Sequence, residues 1–151
     1  MGKREYLQPT GCAALCMAAT RGSFADDGPV VTVGVGPGPG LALVSLTAVI
    51  DTGFDGFAAV PVATVESLGL RQHALVKVEY ADGSIDTVAL AAARIVLGNE
   101  IREGLVHVTS GEALIGIDLL RAFRKIFVLS VAARAVLLVD EMADIEDMRP
   151  G

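Results

Sequence analysis

The chain has 151 residues, 52% of them hydrophobic, which suits one ordinary domain with a real core. A net charge of -6 without any basic stripe argues against nucleic acid as the main partner, because phosphate binding needs clustered Lys and Arg. Tryptophan is absent and aromatics are few, so the core must be built from Val, Leu, Ile and Ala, a composition that leans toward strands.

Residues 1–28 show no sustained period and read as an irregular lead-in. Met1-Gly2-Lys3-Arg4 is basic like the start of a signal peptide, but the apolar stretch Gly11 to Ala19 is short and only mildly hydrophobic. Cys12 and Cys16 are the only cysteines and both fall in this stretch, so a disulfide framework is not expected. The turn-rich cluster Phe24 to Pro29 marks where the folded domain, residues 29–140, should begin. Val30 to Val35 is β-branched and strand-like, Gly36-Pro37-Gly38-Pro39-Gly40 breaks it, and Leu41 to Ile50 resumes it, which predicts a hairpin. No Lys-Ser or Lys-Thr follows the Gly-Pro run, as a phosphate loop would require.

Pro61 opens a short helix in which Val62, Val65 and Leu68 share a face, with Gly69 at the C-cap position. Val76, Val78 and Tyr80 alternate with Lys77 and Glu79, Ala81-Asp82-Gly83-Ser84 supplies a turn, and Ile85 to Leu90 runs back. Strands follow at Ala92 to Leu97 and Leu105 to Val108, with a turn at Gly98-Asn99-Glu100 between them. Leu114 to Asp118 leads into a helical run, Leu119 to Phe123, whose Leu119, Leu120 and Phe123 face inward while Arg121 and Arg124 stay wet. Strands at Ile126 to Val131 and Ala135 to Val139 complete the domain. The tail from 141 to 151 is acidic and solvated, although Met142, Ile145 and Met148 would share one side of a helical turn. No run approaches the roughly 20 apolar residues that span a bilayer, so a soluble cytoplasmic protein without membrane contact is expected. His73 and His107 stand alone in strand-like sequence and read as plain surface imidazoles, so no metal site is expected.

One feature concentrates chemistry. Asp51-Thr52-Gly53 ends the apolar run Leu46 to Ile50, which delivers a carboxylate from a buried strand. Asp51 supplies the carboxyl, Thr52 can hold the loop through a buried hydroxyl hydrogen bond, and Gly53 lets a backbone amide approach the carboxylate. On its own the triplet is a weak motif that turn chemistry explains. Peptide hydrolysis by carboxylates needs two close enough to share a proton: one activates water while its protonated partner polarises the scissile carbonyl.

The order of hairpin, Asp51 triplet, hairpin around Gly83 and apolar-apolar-Gly segment resembles the retropepsin-like aspartic proteases over roughly Val30 to Val139. The segments Asp51-Thr52-Gly53-Phe54 with Gly56, Pro61, Leu68-Gly69-Leu70, Ala81-Asp82-Gly83 and Leu114 to Leu120 look most like the small prokaryotic clan AA proteins. The resemblance implies a mostly β fold, a closed β-barrel with one or two short helices, in which Leu114-Ile115-Gly116 packs beside the Asp51 loop. It implies an aspartic endopeptidase with Asp51, Thr52 and Gly53 as catalytic loop, no metal and no organic cofactor. Phe54, Asp55, Ala81, Asp82 and Gly83 fall at substrate-binding positions, with Ala81 to Ser84 as a flap tip. Phe54 stands where the family usually has Ala or Ser, so a narrower cleft is expected, and Asp55 lies where the family often has an acidic residue near the dimer contact. The triplet occurs once, so the second aspartate should come from another copy in a twofold homodimer acting on a peptide or protein. The alternative is a catalytically silent dimer of the same fold that binds a peptide or partner protein.

Overall fold

The computed structural model describes residues 19–26 and 28–141. Cys12, Cys16 and the Met142, Ile145 and Met148 side of the acidic tail lie outside the described residues.

Strand formation follows the branched residues. In β3 (Gly28–Gly36) Val31, Val33 and Val35 point inward and are buried while Thr32 is exposed, the period of two that a half-buried strand requires. β3 pairs antiparallel with β4 (Val44–Ile50), matching Val33 with Leu46 and Val31 with Ala48. The predicted hairpin is therefore present, but β4 begins at Val44, since Leu41 and Leu43 are exposed in the connection. The short β5 (Ala58–Pro61) runs directly into α1 (Val62–Leu68), which Gly69 closes in the left-handed conformation, φ 63°, at the expected C-cap. Val65 and Leu68 pack against the core and Val62 faces out.

β6 (Gln72–Glu79) and β7 (Ile85–Leu97) form the expected hairpin across the Tyr80–Ser84 turn. Ile85 to Leu90 and Ala92 to Leu97, expected as separate strands, are one strand, because the small residues Ala91 and Ala93 are buried in mid-strand and pair without interruption. β8 (Glu100–Thr109) is correspondingly longer than expected and pairs along β7 from Leu90↔His107 to Leu97↔Glu100. β9 (Leu114–Ile115) leads into α2 (Ile117–Ala122), where Leu119 and Leu120 are buried and Arg121 is exposed, with buried Phe123 as its C-cap. β10 (Lys125–Ser130) and β11 (Ala135–Asp140) pair as the closing hairpin.

Part of the supposed lead-in is ordered strand. β1 (Ala19–Arg21) pairs with β11 and β2 (Ser23–Ala25) pairs with β3, so folded structure starts well before Val30. Each is three residues long, too short to show a period, and β1 is held by a partner at the far end of the chain.

The described residues are mostly β. An eight-stranded sheet runs β2-β3-β4-β9-β5-β8-β7-β6, and β3 also pairs with β7, so the strands from β3 to β7 close into a ring. A second sheet, β1-β11-β10, has three strands. Val35, Ile95, Val106, Ile115, Leu119 and Phe123 are almost wholly buried in the core between these elements. β9 lies parallel to β4 and antiparallel to β5, which inserts it between the strand that enters the Asp51 loop and the strand that leaves it.

Candidate functional site

Asp51 leaves β4 directly after Ile50, which is 4% exposed, so the core anchors the backbone beneath the carboxylate. Four main-chain hydrogen bonds hold the loop against the β9 segment. The Asp51 amide donates to the Ile115 carbonyl at 3.0 Å, the Gly116 amide to Phe57 at 3.1 Å, the Ile117 amide to Phe54 at 2.9 Å and the Asp118 amide to Gly56 at 3.3 Å. Inside the loop the Phe54 amide donates to the Asp51 carbonyl at 3.1 Å. The Gly53 amide donates to Asp51 Oδ1 at 2.9 Å, the amide-to-carboxylate approach expected of this glycine.

Gly116 makes this bracing possible. Its backbone is extended (φ -112°, ψ -174°) and any residue could adopt it, but a Cβ there would fall 2.5 Å from the Phe54 carbonyl oxygen and closer still to that of Gly56. Gly56 has a similar reason: a Cβ would meet the Phe54 ring at 2.5 Å.

A cleft of about 650 Å³ opens between this loop and the β6–β7 hairpin. Of the predicted site residues, Asp51, Gly53, Phe54, Asp55 and Ala81 line it together, and Thr52, Asp82 and Gly83 do not. Thr52 is exposed in the single chain, with no hydrogen bond to its hydroxyl among the described residues, so the expected buried bond is not made within one copy. Asp82 and Gly83 form the hairpin tip instead. The Ser84 hydroxyl at 2.5 Å and the Ser84 amide at 2.9 Å both donate to Asp82 Oδ1 and hold its carboxyl below the usual aspartate value, and Gly83 turns the chain at φ 84°.

Several lining residues carry no local signal of a site. Val76, Val78 and Tyr80 of the hairpin face the loop, with Lys77 and Glu79 beside them. Their alternation is legible in the sequence, but not which face covers Asp51. Asp118 starts α2 as predicted and also lines the cleft, its carboxylate paired with the Arg121 guanidinium one turn on. His107 departs most from expectation. It is no surface imidazole: half-buried in the cleft wall, it meets the Phe54 ring edge-on, with centroids 5.0 Å apart and planes at 67°, and burial lowers its pKa. Its neighbours in sequence do not mark it, because β8 reaches the site through pairing with β5, Ala59 beside His107. Phe54 therefore lines the cleft with its ring packed against His107.

With Asp51, Asp55, Glu79 and Asp118 against Lys77, the cleft lining is predominantly acidic. Among the described residues no three His, Cys, Asp or Glu side chains gather where they would share a metal ion, and no helix is long and apolar enough to cross a membrane. A scan against protein-family models finds no match for this chain, and a search of curated proteins finds none.

Proposed function

We propose that the chain is an aspartic endopeptidase of retropepsin-like, closed-barrel fold that works as a homodimer, each copy contributing Asp51. The observation that carries this reading is the placement of Asp51: its carboxylate is pinned by the Gly53 amide on a loop braced by the inserted β9 segment, at the wall of a cleft covered by a hairpin. Carboxylate hydrolysis needs a second carboxyl sharing a proton with the first. Asp118 in the same cleft is a poor candidate, since Arg121 already compensates its charge, so the partner is Asp51 of a second copy across a twofold axis. There one carboxylate takes a proton from water as its oxygen adds to the peptide carbonyl while the protonated partner gives its proton to the carbonyl oxygen. The first carboxyl then passes its proton to the amide nitrogen as the C–N bond breaks, and the second takes a proton back from the diol, which leaves acid, amine and the starting dyad. The exposed Thr52 hydroxyl beside the axis would be covered by the second copy.

The ring-closing β3–β7 pairing and the β9 insertion support the fold part of the reading. The test has two parts, mass in solution and incubation with a peptide library across pH, using Asp51→Asn as control. A dimer that cleaves and an Asn variant that folds but does not are the expected results. Cleavage by a strict monomer, or full activity in Asp51→Asn, refutes the mechanism. A dimer that retains peptides without cutting them would instead favour a peptide-binding role, which the Phe54–His107 contact crowding the catalytic side of the cleft makes worth separating.

A further inference from the structure

The space beneath the hairpin does not end at the cleft over Asp51. A second cavity of about 370 Å³ shares Phe54, Val78, Tyr80, His107 and Leu114 with it, so the two adjoin and the Phe54–His107 pair stands between them. The character of the lining changes across that pair. On the Asp51 side it carries four carboxylates. On the far side the polar lining is mostly hydroxyl, from Thr87, Thr109 and Ser110 with Tyr80 nearby, over an apolar floor that includes Ala59 and Val108.

We propose that this second compartment is a side-chain subsite of the substrate groove, that it takes an uncharged carboxamide side chain, glutamine or asparagine, and that His107 is its specificity-determining residue. The inference rests on the reading of the groove as a peptide-binding cleft. His107 makes no hydrogen bond among the described residues, although a half-buried imidazole carries one donor and one acceptor when neutral. Both are available to an occupant. Burial favours that neutral form, so the imidazole does not supply a counter-charge for a carboxylate.

A cationic side chain is no better served. Among the described residues Asp86 is the one charged residue that lines the compartment. It is exposed, so water screens the charge it could offer a cation. Thr109 Oγ1 accepts the Gly111 amide at 3.0 Å, which leaves its hydroxyl proton free to donate. What the lining offers is therefore neutral donors and acceptors side by side, and the side chain that presents one acceptor oxygen and one donor NH2 from a single planar group is a carboxamide. A purely apolar side chain would leave the imidazole and hydroxyls unpaired, the condition that sites built from polar groups reject most strongly.

The test is affinity selection of a randomised peptide library on the immobilised full-length chain carrying Asp51→Asn, with cleavage of the same library by the wild type followed in parallel. Glutamine or asparagine should be enriched at one position of the retained peptides, and His107→Leu should reduce that enrichment about tenfold, the loss of roughly one well-made hydrogen bond. Thr109→Val, which keeps shape and volume, should weaken the same position, so the result does not depend on the histidine variant folding. Retained peptides that the wild type does not cut would refute the endopeptidase reading and leave the subsite standing. Enrichment of a charged or apolar residue there, enrichment in both variants undiminished from the parent, or no retention at all would overturn the proposal.

Discussion

Gly116→Ala tests the bracing of the Asp51 loop more directly than any change to the carboxylate. The backbone at this position is extended and unstrained for alanine, so conformation alone predicts a small stabilisation of about 0.4–1 kcal/mol from the stiffer unfolded chain. Space predicts the reverse. The new methyl would fall 2.5 Å from the Phe54 carbonyl oxygen and closer to that of Gly56, and both oxygens belong to backbone that cannot rotate away. These two carbonyls accept from Ile117 at 2.9 Å and Asp118 at 3.3 Å, and Gly116 itself donates to Phe57 at 3.1 Å. Separating the strands enough to admit the methyl weakens two or three of these bonds, each worth about 1 kcal/mol net, for a loss of about 1–2.5 kcal/mol after the entropic offset. Urea unfolding of the full chain measures it, with Gly38→Ala as control: a Cβ there meets nothing within 4 Å, and that variant should stay within about 1 kcal/mol of the parent. The substitution should also weaken any cleavage beyond the loss of folded protein, because the displaced segment holds the Asp51 amide. A Gly116→Ala protein within about 1 kcal/mol of the parent would show that the loop and β9 are not in fact so tightly joined.

The packing makes three further outcomes testable. Gly56→Ala drives a methyl into the Phe54 ring, and because the obstacle is a side chain, Phe54→Ala should relieve it: the double variant should be more stable than the sum of the single effects by about 1 kcal/mol or more, and additivity would refute the contact. The Lys125 side chain is 3% exposed and bridges Glu100 of β8 and Asp140 of β11. Burial pulls its pKa down, but hydrogen bonds to Asp140 and Glu100 outweigh this and leave it raised above 10.5. Its stabilisation is thus complete below that pH and is lost as pH rises through the raised value, and Lys125→Met, which leaves two neighbouring carboxylates without their cation, should destabilise by about 1–3 kcal/mol at neutral pH, with no loss at all refuting the bridge. For His107 the sign is opposite. Its folded-state pKa is depressed by burial below 6.5, so the unfolded chain binds the proton first and stability should fall as pH drops from 6.5 toward the lowered value. Urea midpoints across that interval should slope in the parent and lose that component in His107→Leu; equal slopes would place the imidazole in solvent.

What could be read before folding was what local pattern carries. The β-branched alternation of β3, the Pro61 and Gly69 boundaries of α1, the polar Ala81 to Ser84 turn and the inward Leu119, Leu120 and Phe123 all stand where the residues themselves dictate. The misreadings have one cause: partners distant in sequence. Ala19–Arg21 is a strand because β11 lies beside it. Ile85 to Leu97 is unbroken because β6 pairs with its first part up to Ala91 and β8 and part of β3 with the rest, while Ala91 and Ala93 turn buried side chains into the core in mid-strand.

The candidate site divides along the same line. Asp51 and Gly53 could be read from the triplet because their relation is local, an amide two residues from its carboxylate. Thr52 could not: the buried hydroxyl bond the triplet suggests is not made within the chain, where the residue is exposed. His107 could not either: nothing in Leu105-Val106-His107-Val108 distinguishes it from a solvent-facing strand residue, and only the parallel pairing of β8 with β5 sets it against Phe54. The same pairing explains how a bulky Phe54 is accommodated after the triplet. Its ring packs at a steep angle to the His107 imidazole, and the missing side chain of Gly56 leaves room beside both rings. Phe54, Gly56 and His107 therefore form one packing unit. A change at any one of them should alter the cleft wall beside Asp51 before it alters the carboxylate itself, which the Gly53 amide and the β9 segment hold in place.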